Sequence, residues 1–263
     1  MTGDLGPALR AELLKVRRAK LSWISVLAFT VAPAVAGLFM FVLQDPARAA
    51  SLGLIAGKAH LSGATADWPG LFALLGQMAA VGGLLVFGMI VIWLFGREFG
   101  DRTAKDLLAL PTSREAIVLA KFAVAFVWCL LLAVQLCVLG LAVGAALGLP
   151  GWSAGVAAAG LARVLAAAVL TALLVTPFGF AAGVGHGYLA AVGVMFATLA
   201  LAQVIAALGH GAYFPWSVPA LLTQVAGEAA ELPGPVGYAL VLAVGGAGVA
   251  ATAVWWRRAD HTR

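Results

Sequence analysis

Five stretches of this 263-residue chain carry no Asp, Glu, Lys or Arg: residues 21–44, 68–96, 122–162, 164–227 and 232–256. A helix that crosses the hydrocarbon core of a bilayer needs about 20 mostly apolar residues. Each stretch is long enough for one crossing, and the third and fourth are longer than one needs. The composition agrees: 63% of residues are of the AVILMFWYC set, and 10% are charged, where a soluble domain has about 25% charged. So few charges cannot cover a water-facing surface. The sequence therefore predicts an all-α integral membrane protein.

Gly and Pro divide the two longest stretches. The run 122–162 breaks at Gly148-Leu149-Pro150-Gly151, and the run 164–227 turns near Gly183-Val184-Gly185-His186-Gly187. That gives six spans, at about 21–43, 71–95, 121–147, 162–183, 188–209 and 235–256, within a single transmembrane domain of residues 1–263. Lys and Arg orient them, because short cytoplasmic loops retain basic residues. With the N-terminus inside, 13 basic residues lie on the inner side and three, Arg48, Lys58 and Arg163, on the outer. Both termini are then cytoplasmic. The net charge of +5 is thus a topology signal together with attraction to anionic lipid, and nucleic acid is not an expected partner. Residues 1–20 read as a cytoplasmic interfacial helix, with Leu9, Leu13 and Val16 at helical spacing and Arg10, Lys15, Arg17 and Arg18 around them, or equally as a plain basic flank of the first span. The first apolar run is too long for a signal-peptide core.

Several chemistries lack their residues. No G-x-x-x-x-G-K-[ST] phosphate loop occurs, and the stretch Gly53 to Lys58 has the wrong spacing. His60, His186, His210 and His261 are isolated, so no metal site is expected. Ser occurs in the expected spans only as Ser22 and Ser25, which leaves no nucleophile–base pair for an intramembrane hydrolase. All eleven carboxylates fall in expected loops or tails, whereas an ion-driven carrier needs them within the membrane. Cys129 and Cys137 lie in an uncharged run and read as small apolar residues. The chain is not expected to be an enzyme by itself, and its energy source is expected in another subunit.

The most informative segment is the loop 96–116 between the second and third spans. Thr103 can cap a short helix, with Asp106 in its first turn. Leu107, Leu108 and Leu110 give it an apolar patch, Pro111 stops it, and Ser113 can cap the helix that follows. A short helix with a greasy face, held between two spans, suits docking to a soluble partner.

The order Arg97-Glu98, Thr103, Leu107-Leu108, Pro111, Ser113-Arg114 and Lys121 resembles the cytoplasmic loop of permease subunits of ABC-type exporters in the type-2 membrane-subunit superfamily. The opening Ala11-Glu12-Leu13-Leu14-Lys15-Val16-Arg17-Arg18 resembles the N-terminal interfacial helix of the same proteins. Arg102 stands where that family often has Gly. The resemblance implies six spans and a coupling helix in the loop 96–116 that sits on an ABC ATPase subunit. Glu98, Thr103, Leu107, Leu108, Pro111 and Arg114 are then the coupling residues. It implies two ATPase copies, with ATP and Mg bound there and no cofactor on this chain. It also implies a second permease copy or paralogue, and a bacterial plasma membrane location. Export of a hydrophobic or amphipathic substrate would follow. A membrane-embedded enzyme, or a non-transporting anchor or assembly factor, is the alternative.

Further features bear on packing and the pathway. Gly140, Gly144 and Gly148 are spaced by four, as are Gly179, Gly183 and Gly187, a spacing that lets helix backbones approach closely. Gln77, Gln135 and Gln203 fall within spans and should face protein or a cavity. In the resembled family the second and fifth spans line the pathway, which makes Gln77 and Gln203 the pathway candidates. The outer segment 210–234 is too interrupted to cross, and Tyr213 and Trp216 are expected to anchor it in the outer leaflet.

Overall fold

The computed structural model of the chain describes residues 2–45, 51, 65–101, 112–223 and 232–258. Six helices among them are long and apolar enough to cross a membrane. Every regular element among the described residues is helical. Helix α1 (Thr2–Arg18) precedes the first span, α2 (Lys20–Gln44). The second span joins α3 (Trp68–Gln77) to α4 (Gly83–Gly100) through a π-helical turn at Met78–Gly82. The third is α5 (Arg114–Ala146), and the fourth joins α6 (Ala154–Leu174) to α7 (Thr176–Val184). The fifth is α8 (Tyr188–Ala207), and the sixth is α10 (Pro235–Arg258), after a short α9 (Val218–Leu222).

Side-chain caps set three of the starts. Asp67 accepts from Gly70 N–H at 2.8 Å, Ser113 from Ala116 N–H at 3.3 Å, and Ser153 from Val156 N–H at 3.1 Å. Each satisfies a first-turn donor that has no partner within its helix. The fourth span starts earlier than the charge pattern suggests, at Ala154, and Arg163 lies on its exposed face rather than before it. A single long cation does not end a helix, because its stem runs along apolar surface toward the interface.

The second span is the centre of the bundle. In its most apolar window 61% of residues are buried, against 17% for the fifth span. Leu71, Leu75, Phe87, Ile92, Leu94 and Phe95 form its inward side. Glycines set how closely its neighbours pack. A Cβ at Gly144 would lie 2.6 Å from the Trp68 ring, and one at Gly140 would overlap Leu75. Gly179 faces Phe95 and Gly183 faces Trp255, so these four glycines serve packing within the chain. Gly148, at φ +60°, belongs to the turn that closes α5.

The fourth span breaks because Pro177 brings no backbone donor. Thr176 Oγ1 has one proton for two carbonyls, Leu173 O at 2.9 Å on its own span and Gly245 O at 2.8 Å on the sixth. The sixth span crosses at this break, with Gly248 so close that a Cβ there would come within 2.6 Å of Pro177 N. Trp216 and Ser217, in the segment after the fifth span, pack near the same point. Trp216 Nε1 donates to Leu174 O at 3.0 Å and Ser217 Oγ to Ala202 O at 3.0 Å. The indole N–H of Trp216 thus answers the last carbonyl of α6, while Tyr213 stays exposed.

Helix α1 turns one side to the bundle and another away from it. Its buried stripe is Ala8, Glu12 and Val16, while Leu13 and Leu14 are about half exposed, at 49% and 51%. A carboxylate turns inward and two leucines turn out because of what Glu12 finds in the interior.

Candidate functional site

Glu12 meets a cluster of charges where three elements converge: α1, the end of α4 and the start of α5. Lys121 Nζ donates to Glu98 Oε1 at 2.7 Å, to both oxygens of Glu12 at 3.1 Å, and to Leu94 O at 2.9 Å. Lys15 Nζ donates to Glu12 Oε1 at 2.7 Å and to Glu98 Oε1 at 2.8 Å. Glu12, Glu98 and Lys121 are buried, and Lys15 partly so. Two carboxylates and two ammonium groups sum to zero, the condition under which buried charge is tolerated. Burial pulls the pKa of Lys15 down, but the adjacent Glu12 and Glu98 carboxylates outweigh it and hold the group above its usual 10.5.

The cluster brackets the loop 96–116. Glu98 leaves the second span three residues before Asp101, and Lys121 lies in the second turn of the third span. The ion pair between them ties the two spans that flank the loop; Glu12 ties the third span to α1, and Lys15 ties the second. Arg114 adds a second tie. Its Nη1 reaches the Trp256 and Arg257 carbonyls at 3.1 and 3.2 Å, so a cation satisfies the C-terminal end of α10. Arg257 in turn pairs with Glu115 at 2.7 Å.

A groove of about 490 Å³ opens nearer the middle of the bundle. The first span contributes Ala28, Phe29 and Ala32, and Phe29 stacks on Phe87 at 5.4 Å. The second contributes its π-helical turn, and Gln77 and Gln203 bring the polar groups. Single π turns inside α-helices widen the helix locally and frequently mark functional sites. Gln77 Oε1 accepts from Thr223 Oγ1 at 3.2 Å, and Gln203 is exposed on the fifth span.

The sequence profile of the ABC-2 family transporter proteins matches residues 8–203. The chain belongs to that family. It is the membrane subunit of an ABC transporter, and the family implies partnership with an ABC ATPase subunit. It is also similar to the bacitracin transport permease protein of Bacillus licheniformis, at 27% identity over 68% of this chain and 85% of that protein. The match to the profile spans α1, the buried cluster, both flanks of the loop and the groove.

Of the six expected coupling residues of this ABC-2 permease, Glu98 and Arg114 are among the described residues. Thr103, Leu107, Leu108 and Pro111 lie outside the described residues. Glu98 was expected to face the partner. At 2% exposure it faces inward, because the two lysine ammonium groups lie on that side. Arg114 was expected there too, and it spends Nη1 on the end of the sixth span. Gln77 and Gln203, 126 positions apart in sequence, line one groove. Gln135 is an interhelical tie, donating to Val26 O at 3.0 Å and Thr30 Oγ1 at 2.8 Å. The role of Glu12, Lys15 and Lys121 as one unit was not foreseen. One signal was available: Glu12 is the one acid in a strongly basic segment, and Lys121 follows five apolar residues at the mouth of a span.

Proposed function

We propose that this permease is energised by a separate ATPase subunit that docks on the loop 96–116, and that it exports a hydrophobic or amphipathic substrate. The basic end of the bundle then faces the cytoplasm of a bacterial cell, with both termini inside. ATP and Mg are bound on the ATPase, and this chain holds no cofactor. Two permeases and two ATPases make the working complex. The groove between the first, second and fifth spans lines the pathway, with Gln77 and Gln203 offering hydrogen bonds in an otherwise apolar wall. The exposed amide of Gln203 on the least buried span supports a second copy, because an amide facing lipid has no partner.

The observation that carries this reading is the Lys121–Glu98 contact at 2.7 Å, with Glu12 and Lys15 around it. A loop transmits a push only if its ends do not slide independently. Here both flanks of the loop, and α1 besides, are joined by charge-assisted bonds in a buried setting, where such bonds are strongest. Movement received by the loop is passed to three helices together, and through Leu94 to the second span that lines the groove. The test is co-purification of tagged permease from its native membrane. The proposal expects an ATPase retained at one copy per permease; a permease that elutes alone, or with no nucleotide-hydrolysing partner, contradicts it.

A further inference from the structure

At the basic end of the bundle a second cavity, of about 440 Å³, lies between α1, the end of α4 and the start of α8. Lys15, Arg18, Trp93, Arg97, Asp101 and Tyr188 line it. We propose that it is a binding site for the phosphate headgroup of an anionic phospholipid in the leaflet next to α1.

The cations are placed for one ligand. Lys15 gives two of its three N–H groups to Glu12 and Glu98, and the third has no acceptor among the described residues. The Arg18 side chain makes no hydrogen bond or ion pair among the described residues and is exposed. Arg97 stacks on Trp93, its Cζ 4.8 Å from the ring centre, which fixes the guanidinium at the cavity wall. Its pairing with Asp101 is long, at 3.4 Å, and exposed, which is a weak competitor for a phosphate. The charges do not cancel. The buried cluster behind Lys15 is neutral, Arg97 and Asp101 offset each other, and Arg18 remains as excess positive charge.

The aromatic residues set the depth. Tyr188 lies flat on the second span over Gly96 and Gly100, where an added Cβ would come within 2.8 and 3.2 Å of its ring. Tyr188 and Trp93 both line the cavity, as aromatic residues do at headgroup level. Leu14, half exposed, forms an apolar lip on which an acyl chain can lie. A phosphate flanked by basic side chains, with an apolar exit toward the bilayer, is the chemistry of a phosphatidylglycerol-type headgroup. This inference does not depend on the transport reading.

The experiment is native mass spectrometry of the full chain in mild detergent, titrated with phosphatidylglycerol, with phosphatidylcholine and with inorganic phosphate. Two basic side chains at about fivefold each predict roughly a 25-fold preference for the first phosphatidylglycerol over phosphatidylcholine. Arg18→Gln with Arg97→Gln should abolish the preference. Arg18→Gln alone, at an exposed helix end, should reduce it about fivefold even if the double variant is unstable. Arg10→Gln with Arg17→Gln removes the same charge from exposed positions off the cavity and should leave the preference intact. Equal binding of the two lipids would overturn the assignment, and so would an equal loss in the Arg10/Arg17 control, which would mean diffuse attraction only. Displacement of the lipid by an equal concentration of inorganic phosphate would also overturn it, because the site would then be one for free anions.

Discussion

Lys121 has three N–H groups, and each is engaged: one by Glu98, one by Glu12 and one by Leu94 O. Removing it leaves two buried carboxylates facing Lys15 alone. Lys121→Met is therefore expected to destabilise the permease by about 3–5 kcal/mol, the usual result of breaking a buried pair from one side. The measurement is the temperature at which the monodisperse peak is lost in detergent. Glu98→Lys is expected to be as severe, whereas charge reversal of a residue on a partner-facing rim would change stability little. Lys15 supplies a pH test. Its folded pKa is raised, so its stabilisation is complete below about 10.5 and is lost only as pH climbs through the folded value. The stability difference between Lys15→Met and the parent should be flat from about pH 6 to pH 9 and shrink only in stronger alkali. A difference that varies within the neutral range would mean that another group titrates in the cluster. These residues were visible in the sequence as charges at the margins of apolar runs. Their partnership was not, because Glu12 and Lys121 are 109 positions apart and no local pattern links them.

Among the elements, legibility followed the range of the cause. Span existence depends on local apolar length and was readable. The caps at Ser113 and the turn at Gly148 are local too. The inward turn of Glu12 on α1 was not readable, since its partner Lys121 is distant in sequence and no local pattern links them. The π-helical turn at Met78–Gly82 leaves no residue signature beyond Gly82-Gly83, and the orientation of Trp216 depends on a carbonyl at the break of another span. Glycine packing gives the prediction at this scale. Gly144→Leu must displace Trp68 or separate the second and third spans, and is expected to lose about 1–3 kcal/mol by overpacking. Gly246→Leu, with nothing within 4 Å of its Cβ position, should lose much less in the same thermal assay. Equal losses would mean that the Gly140–Gly144 face is not an interhelical contact.

For the whole molecule, family and fold now stand together: an ABC-2 membrane subunit with six span-length helices among its described residues, the most buried at the centre and the barest carrying Gln203. The proposed orientation predicts that cysteines introduced for Asp4 and His261 resist membrane-impermeant reagents in intact cells; labelling of either would reverse it. The proposed assembly predicts two permeases in the detergent-stable complex, read from its mass, and one permease with two ATPases would contradict it. The central claim is that the loop between the bracketed spans receives the force of the ATPase. The most direct measurement is partner retention and transport in Leu107→Ala with Leu108→Ala, in a permease shown by monodispersity to be folded. Truncating buried interface anchors typically costs about 2 kcal/mol or more each, so the account predicts loss of the ATPase on purification and loss of transport, while the buried cluster keeps the permease intact. Normal partner retention with normal transport in that double variant would contradict it.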